Sequence, residues 1–102
     1  MNDKYILDGH TPVAEPDFNK WGTWFRSADR HVARDTIGDK DVSTVFLGID
    51  HDFTGEGKPV LFETMIFPDC DDAVRYHTWE EAEAGHKKIV EKLRKRMKKT
   101  NI

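Results

Sequence analysis

Asp50, His51 and Asp52 stand together where an apolar segment gives way to a glycine-containing loop. An imidazole between carboxylates is a combination that general acid–base catalysis uses, and the ends of strands are common places for functional groups. Glu63 lies in the next apolar segment along the chain. If Asp50, His51 and Glu63 converge around an open cleft, they form a small acid–base or metal-dependent hydrolase site. The alternative interpretation is a solvated turn.

The sequence contains no established pattern of metal ligands or activated nucleophiles. Asp50, Asp52, Thr54 and Gly55 match four positions of a calcium-binding loop, but Leu61 occupies the position that needs a bidentate glutamate. The five histidines show none of the HxH, HxxH or HExxH spacings of metal sites. Phosphate-binding and nucleophile-elbow motifs are also missing from the sequence. We therefore expect no metal and no cofactor, and the sequence favours a protein that is not an enzyme.

Glu63 is the one charged residue in the apolar segment VLFETMIF. Alternation along a strand places it on the same face as Met65 and opposite Phe62 and Thr64. A carboxylate in such a position is either exposed to solvent or paired with a basic side chain. The expected partners are Arg26, Arg30 and Arg34.

Aromatic and basic residues that favour binding occur together in the N-terminal half of the chain. Trp21, Trp24, Arg26 and Arg30 are of the types that dominate binding hot spots, and an arginine–tryptophan pair can hold the phosphate and base of a nucleotide. The alternative is that the aromatic residues belong to the core. His86 is a further candidate, which is either a ligand-binding residue or a hydrogen-bonded core histidine beside Gly85.

Two helices and three strands are predicted to position these residues. Apolar residues at helical spacing predict a helix that begins at Pro16, and β-branched and aromatic residues predict three consecutive strands. Lys4–Leu7 is a possible fourth, edge strand, whereas Gly9–Pro16 is expected to be irregular because of its two prolines. The three strands, joined by short loops in an antiparallel meander, are His31–Ile37, Val42–Asp50 and Val60–Phe67.

The final helix has the clearest pattern in the sequence. Thr78 and Glu81 form a capping box, and behind them one apolar stripe runs over about six turns. The fold class is therefore predicted to be α+β, with a small antiparallel sheet of three or four strands, two helices packed on it and a long C-terminal helix. Residues 1–102 are expected to form a single domain with a compact core over 5–97 and a basic helix end over 87–102.

The charges of the 102-residue chain are unevenly distributed. Residues 1–86 carry 8 basic and 18 acidic side chains, a net charge of −10, whereas residues 87–102 carry 8 basic and 1 acidic, a net charge of +7. The basic residues surround the apolar stripe of the last helix on most sides, which makes a nucleic-acid surface unlikely. Ile89, Leu93 and Met97 lie near the end of the stripe, and they predict possible self-association through this helix.

No apolar run approaches the length of about 20 residues that crosses a membrane, and no secretory signal pattern begins the chain. A single cysteine, Cys70, cannot form an internal disulfide. These features predict a protein of the reducing cytoplasm that does not contact a membrane.

Several blocks of the sequence resemble a family of small proteins encoded by bacteriophages and prophages. The blocks are YILDGH, VSTVFLGIDH, PVLFETMIF and RYHTWEEAEAGH, together with the segment from Trp21 to Phe25, and they span residues 5–86. The family has no established activity, so the resemblance assigns no catalytic residue. It implies a small phage product in a bacterial cytoplasm. We therefore expect a non-enzymatic accessory protein that binds and modulates a host factor or defence system. Its partner would be a host protein or a small signalling molecule such as a nucleotide.

Overall fold

The computed structural model describes residues 3–52, 54, 57–68 and 73–100. It contains two helices and two antiparallel sheets, one of two strands and one of four. The predicted α+β class and the long C-terminal helix are therefore confirmed. Gly55, which belongs to the calcium-loop pattern, and Cys70 lie outside the described residues.

The chain begins with a small hairpin of two strands, β1 (Tyr5–Asp8) and β2 (Thr11–Ala14). Gly9 has a φ of +63° in the two-residue turn between them, a conformation that suits glycine. The prediction that Gly9–Pro16 is irregular was wrong. Pro12 is accommodated because β2 pairs with β1 on one side only, so the missing N–H of the proline breaks no sheet ladder.

The first helix, α1 (Phe18–Ser27), follows the hairpin. The carboxylate of Asp17 accepts hydrogen bonds from the backbone N–H groups of Asn19 at 2.9 Å and Lys20 at 3.1 Å, and it thereby caps the helix. The helix starts two residues later than predicted because Asp17 takes the capping position and Pro16 precedes it.

Four antiparallel strands form the main sheet, in the order β3 (His31–Ile37), β4 (Lys40–Phe46), β5 (Phe62–Phe67) and β6 (Val74–Tyr76). The predicted meander of three strands is confirmed, but the predicted ends of two strands were wrong. β4 ends at Phe46 rather than Asp50, since Gly48 leaves the extended conformation with a φ of +76°. β5 begins at Phe62 rather than Val60, and β6 was not predicted because three residues give no readable alternation.

The second helix, α2 (Trp79–Thr100), has 22 residues and is about 33 Å long. The predicted capping box is confirmed, since the Thr78 hydroxyl accepts from the Glu81 N–H and the Glu81 carboxylate accepts from the Thr78 N–H, both at 3.1 Å. The pKa of Glu81 is lowered, chiefly because its carboxylate also accepts from the His77 N–H. Neither helix in the described part of the chain is long and apolar enough to cross a membrane.

The core lies between α2 and one face of the main sheet, in two clusters. The first contains Phe46, Leu61, Phe62 and Ala82, and the second contains Ile37, Val42 and Val90. The expectation that both helices pack across the sheet needs correction, because α2 alone contacts all four strands. The first helix lies against β1 and reaches the sheet through the ring of Trp24, which meets the ring of Phe46 edge to face.

The hairpin is attached to the main body at two places. Backbone hydrogen bonds join Tyr5 N–H to the Gly48 carbonyl at 2.9 Å and Asp50 N–H to the Asp3 carbonyl at 2.8 Å. At the hairpin turn, the ring of His10 stacks on the ring of Trp79 with a centroid distance of 3.8 Å and an interplanar angle of 6°. The hairpin therefore covers the beginning of α2.

Candidate functional site

Asp50 and His51, two members of the predicted hydrolase site, organise the loop between β4 and β5. The Asp50 carboxylate accepts from the backbone N–H groups of Asp52 and Val60, both at 2.8 Å. The Nδ1 atom of His51 lies 2.8 Å from the Ile49 carbonyl oxygen. These contacts hold the two ends of the loop together.

Asp52 also stabilises this loop. Its carboxylate accepts from the hydroxyl and N–H of Thr54 and from the N–H of Gly57. The Thr54 hydroxyl, followed by the two backbone amides, lowers the pKa of Asp52. The acidic residues that resembled a calcium loop therefore already accept hydrogen bonds from the loop itself.

Glu63 is paired with a basic side chain, which was one of the two expected alternatives, but its partner is not Arg26, Arg30 or Arg34. Its carboxylate accepts from the Nε of Arg75 at 2.9 Å, because Arg75 lies directly opposite it on β6. Among the described residues, no three His, Cys, Asp or Glu side chains gather in a way that could hold a metal ion, and Asp50, His51 and Glu63 form no such group.

Trp21 and Trp24, the predicted aromatic binding residues, make internal contacts. The indole N–H of Trp21 donates to the Gly48 carbonyl at 3.0 Å, and its ring packs on Phe25 at a centroid distance of 4.8 Å. A side chain at Gly48 would meet the Phe25 ring at 2.8 Å, which explains the glycine at this close approach. Both tryptophans are half-buried, so each side chain keeps some exposed surface.

Arg30 joins the same cluster, whereas Arg26 is exposed in the last turn of α1. The Arg30 guanidinium donates to the Phe46 carbonyl at 3.0 Å and lies 4.0 Å from the centre of the Phe25 ring. These contacts fasten α1 to the end of β4. The binding role of the Trp21, Trp24, Arg26 and Arg30 face stays a prediction.

His86 belongs to a chain of five hydrogen-bonded side chains, which we call the buried network. Its Nε2 is 2.7 Å from the carboxylate of Asp35, and its Nδ1 is 2.7 Å from the hydroxyl of Thr44. The Thr44 hydroxyl bonds to that of Thr64, which lies 3.1 Å from the hydroxyl of Tyr76. His86 is 2% exposed, so the prediction of a hydrogen-bonded core histidine describes this geometry.

The network connects one side of the molecule to the other. Asp35, at one end, is 43% exposed in its side chain and stands on the edge strand β3. Thr44 and Thr64 are fully buried in the middle. Tyr76, at the other end, lies against Gly85, where an added Cβ would be 2.4 Å from the phenol oxygen. A glycine in α2 therefore makes room for the end of the network.

A groove, which we call the α2 groove, runs along α2 beside β5 and β6 and continues to the turn between β3 and β4. It consists of three neighbouring cavities of about 430, 220 and 340 Å³. The first two share Val74 and Ile89, and the last two share Leu93 and Arg96. The path leads from Tyr76 and Gly85 toward the C-terminal turns of the helix.

The α2 groove has an apolar floor and a basic border. The floor is formed by Ile66, Val74, Ile89 and Leu93, and Val74 is 41% exposed. The border consists of three exposed cations that follow one another at intervals of four residues on α2, namely Lys88, Lys92 and Arg96. Two carboxylates lie at the ends of the groove, those of Glu81 and Asp39.

Most of these residues were missed by reasoning from the sequence. His86 and Gly85 were noticed because a histidine on an apolar helix stripe beside a glycine is unusual. Thr44 and Thr64 carried a weaker signal, since hydroxyl residues in apolar strands need partners when they are buried. Asp35 and Tyr76 carried no signal, because their partners are distant in the sequence.

Comparison with known proteins finds no relative. No protein-family model, no curated protein and no solved structure matches the chain. The side chains of the α2 groove and of the buried network are therefore the basis for inferring function.

Proposed function

We propose that this chain is a non-enzymatic binding protein that holds an acidic, amphipathic helix of a partner protein in the α2 groove. The observation that carries the proposal is the combination of an apolar floor with a row of three cations along one side. The phage-like blocks of the sequence support a host protein as the partner and inhibition or modulation of that protein as the outcome.

The apolar floor supports binding of a protein segment. Val74 is 41% exposed, and Ile66, Ile89 and Leu93 are half-buried. Removing apolar surface from water contributes about 25 cal/mol of favourable free energy for each Å² buried. Binding of a partner that covers this floor is therefore favoured. A contiguous exposed patch bordered by polar residues is typical of an interaction site.

The spacing of the groove residues supports a helical partner. Ile89 and Leu93 form one row along α2, and Lys88, Lys92 and Arg96 form the adjacent row, each with a step of four residues. Such rows form ridges on the helix surface, and the ridges of a second helix pack into the grooves between them. From Gly85 to Met97 the groove is about 18 Å long, which corresponds to about three turns of a partner helix.

The charges support an acidic partner. Three cations border the floor, and one of the two carboxylates, that of Glu81, is engaged in the cap of α2. Glutamates on the partner helix would face the cations along the whole groove, which favours both encounter and correct orientation.

Nucleotide sequestration by the α1 face is the less supported variant. The N–H of Trp21 and the guanidinium of Arg30 already donate to backbone carbonyls, so a nucleotide would compete with those bonds. The hydrolase alternative is also less supported, since Asp50 and Glu63 hold different structural partners.

The proposal is tested with a synthetic helical peptide of about 15 residues that carries leucines at helical spacing and flanking glutamates. A matched peptide with lysines in place of the glutamates is the control probe. Fluorescence anisotropy should show that the acidic peptide binds and the basic peptide does not.

Charge reversal in the chain locates the site. Lys92→Glu should weaken binding of the acidic peptide by about tenfold or more, because it places a carboxylate beside the partner's glutamates. Lys20→Glu, on the exposed side of α1, is the matched control and should change the affinity by less than about twofold. Equal effects of the two variants, or no binding of the acidic peptide, would overturn the proposal. A doubled mass in light scattering that Lys92→Glu abolishes would also overturn it, since a second copy would then occupy the groove.

A further inference from the structure

The direction of each hydrogen bond between His86 and Tyr76 depends on one proton, the one that Nδ1 of His86 can carry. A carboxylate only accepts, so the Nε2 of His86 donates to Asp35. The Thr44 and Thr64 hydroxyls each carry one proton and each have neighbours on both sides. Each of them therefore donates in one direction and accepts from the other.

In the neutral state of His86, the Nδ1 atom carries no proton and accepts from Thr44. Thr44 then accepts from Thr64, and Thr64 accepts from Tyr76. The Tyr76 proton is therefore directed inward, and the phenol presents an oxygen lone pair to its surroundings.

In the protonated state, the Nδ1 atom of His86 donates to Thr44, and each hydroxyl turns to donate to the next. Thr64 now donates to Tyr76, so the Tyr76 proton is directed away from the network. Rotation of three hydroxyl groups achieves this reversal without movement of any heavy atom.

We propose that protonation of His86 converts Tyr76 from an acceptor to a donor at the α2 groove and thereby strengthens the binding of a carboxylate-bearing partner. This inference rests on the proposed function, because Tyr76 lines the groove in which the acidic helix is placed. By reciprocity, a partner that binds the donor form of Tyr76 also favours the proton on His86. Affinity should then rise when His86 gains its second proton.

The groups around His86 fit such a coupling. Asp35 of β3 contacts the imidazole, and Lys87, Glu91 and Arg94 of α2 line a cavity of about 160 Å³ beside both. The strands β4 and β5 contribute only hydroxyl groups to the network, and β6 contributes a phenol. Two cations and two carboxylates therefore lie near the imidazole. The imidazole is connected to the α2 groove only through the hydroxyl groups of the network.

NMR on the protein alone tests the reversal. At a pH where His86 is neutral, its proton should lie on Nε2, and acidification should add the second proton to Nδ1. The ring carbon that bears the Tyr76 oxygen should shift with the same midpoint as the His86 ring nitrogens. A neutral tautomer with its proton on Nδ1, or a Tyr76 signal that does not follow His86, would overturn the proposal.

The affinity of the acidic peptide tests the link to binding. Wild-type protein should bind it about five- to tenfold more tightly at a pH where NMR shows His86 protonated than at a pH where NMR shows it neutral, as expected for one ordinary hydrogen bond. Tyr76→Phe keeps the ring over Gly85 and removes the hydroxyl, so its affinity should change by less than about twofold between the two pH values. His77→Gln alters a histidine outside the network and should keep the wild-type dependence.

The outcomes separate this inference from the proposed function. Equal affinity of the wild type at both pH values overturns the coupling but leaves the groove as a binding site. A pH dependence that survives in Tyr76→Phe also overturns the coupling, and so does one that disappears in His77→Gln. A peptide that binds at neither pH overturns the proposed function and the coupling together.

Discussion

Gly85 and Tyr76 form a close approach between α2 and the sheet. An added Cβ at Gly85 would lie 2.3 to 2.6 Å from three atoms of the Tyr76 ring. The ring cannot retreat without losing the hydrogen bond to Thr64, which ties it to the buried network. At the scale of single residues, the position of Tyr76 therefore depends on the absence of a side chain at position 85.

Gly85→Ala should destabilise the protein by about 1–3 kcal/mol, because the added methyl group displaces a packed ring. This loss should exceed the gain of up to about 1 kcal/mol in helix propensity. Urea denaturation measures the change. Gly22→Ala in α1 is the matched control, since nothing lies within 4 Å of an added Cβ there, and it should be neutral or stabilising. Equal stability changes for the two variants would contradict the packing argument.

Thr44→Val should cost about 1–3 kcal/mol in the free energy of unfolding, because it keeps the shape but leaves the buried Nδ1 of His86 without its partner. Thr11→Val, at an exposed strand position, is the control and should stay within about 0.5 kcal/mol of the wild type. Chemical denaturation of both variants measures these changes in the free energy of unfolding. A neutral effect of Thr44→Val would mean that the hydroxyl does not satisfy the imidazole.

At the scale of elements, the sequence correctly predicted the features that neighbouring residues determine. The capping box at Thr78 and Glu81 and the apolar stripe behind it were sufficient to place α2. The hairpin strand around Pro12 was missed because its pairing with β1 outweighs the local preference of proline. Glu63 was assigned the wrong partner because β6 was not predicted. The buried network joins five elements, and no spacing in a single sequence reveals such a contact.

The cap of α2 should depend on pH in a defined direction. The pKa of Glu81 is lowered from its usual value of 4.5, mainly by the hydrogen bond from the His77 N–H. A lowered pKa means that the ionised carboxylate stabilises the fold above that usual value and that this contribution is lost as the pH falls through the folded-state value. The stability difference between wild type and Glu81→Gln should therefore be largest near neutral pH and shrink as the pH falls below 4.5.

Thermal unfolding followed by circular dichroism at several pH values checks this expectation. Glu83→Gln is the control, since its side chain makes no cap bond in α2, and its difference from wild type should vary less with pH. A Glu81→Gln difference that grows on acidification would contradict the role assigned to the cap.

At the scale of the whole molecule, the uneven charge distribution corresponds to the position of α2. The basic residues of the chain's end lie on α2, which crosses all four strands and borders the α2 groove. The molecule measures 55 × 30 × 22 Å, so this helix lies in an elongated body rather than in a sphere. The N-terminal hairpin covers the start of the helix, and the groove follows its later turns.

The hairpin should loosen as a unit when its stack on α2 is removed. His10→Ala deletes the ring that lies 3.8 Å from Trp79, so the amides of β1 and β2 should exchange hydrogen faster. The amides of β4 and β5 should keep their protection, because those strands lie inside the main sheet. Hydrogen exchange measured by NMR or mass spectrometry resolves the two groups. His31→Ala, at an exposed position on β3, should leave the hairpin protected, and equal loosening in both variants would argue against the stack.

The contact between Tyr76 and Gly85 also limits how this sequence can diverge. A relative that replaces Gly85 with a larger residue must shrink the residue at 76, and a relative that loses Tyr76 no longer needs the glycine. The two positions should therefore change together, and a relative that keeps both should also keep His86 and the two buried threonines. That set of residues, which comes from separate parts of the chain, gives a signature by which distant members of the lineage can be recognised when overall identity has faded.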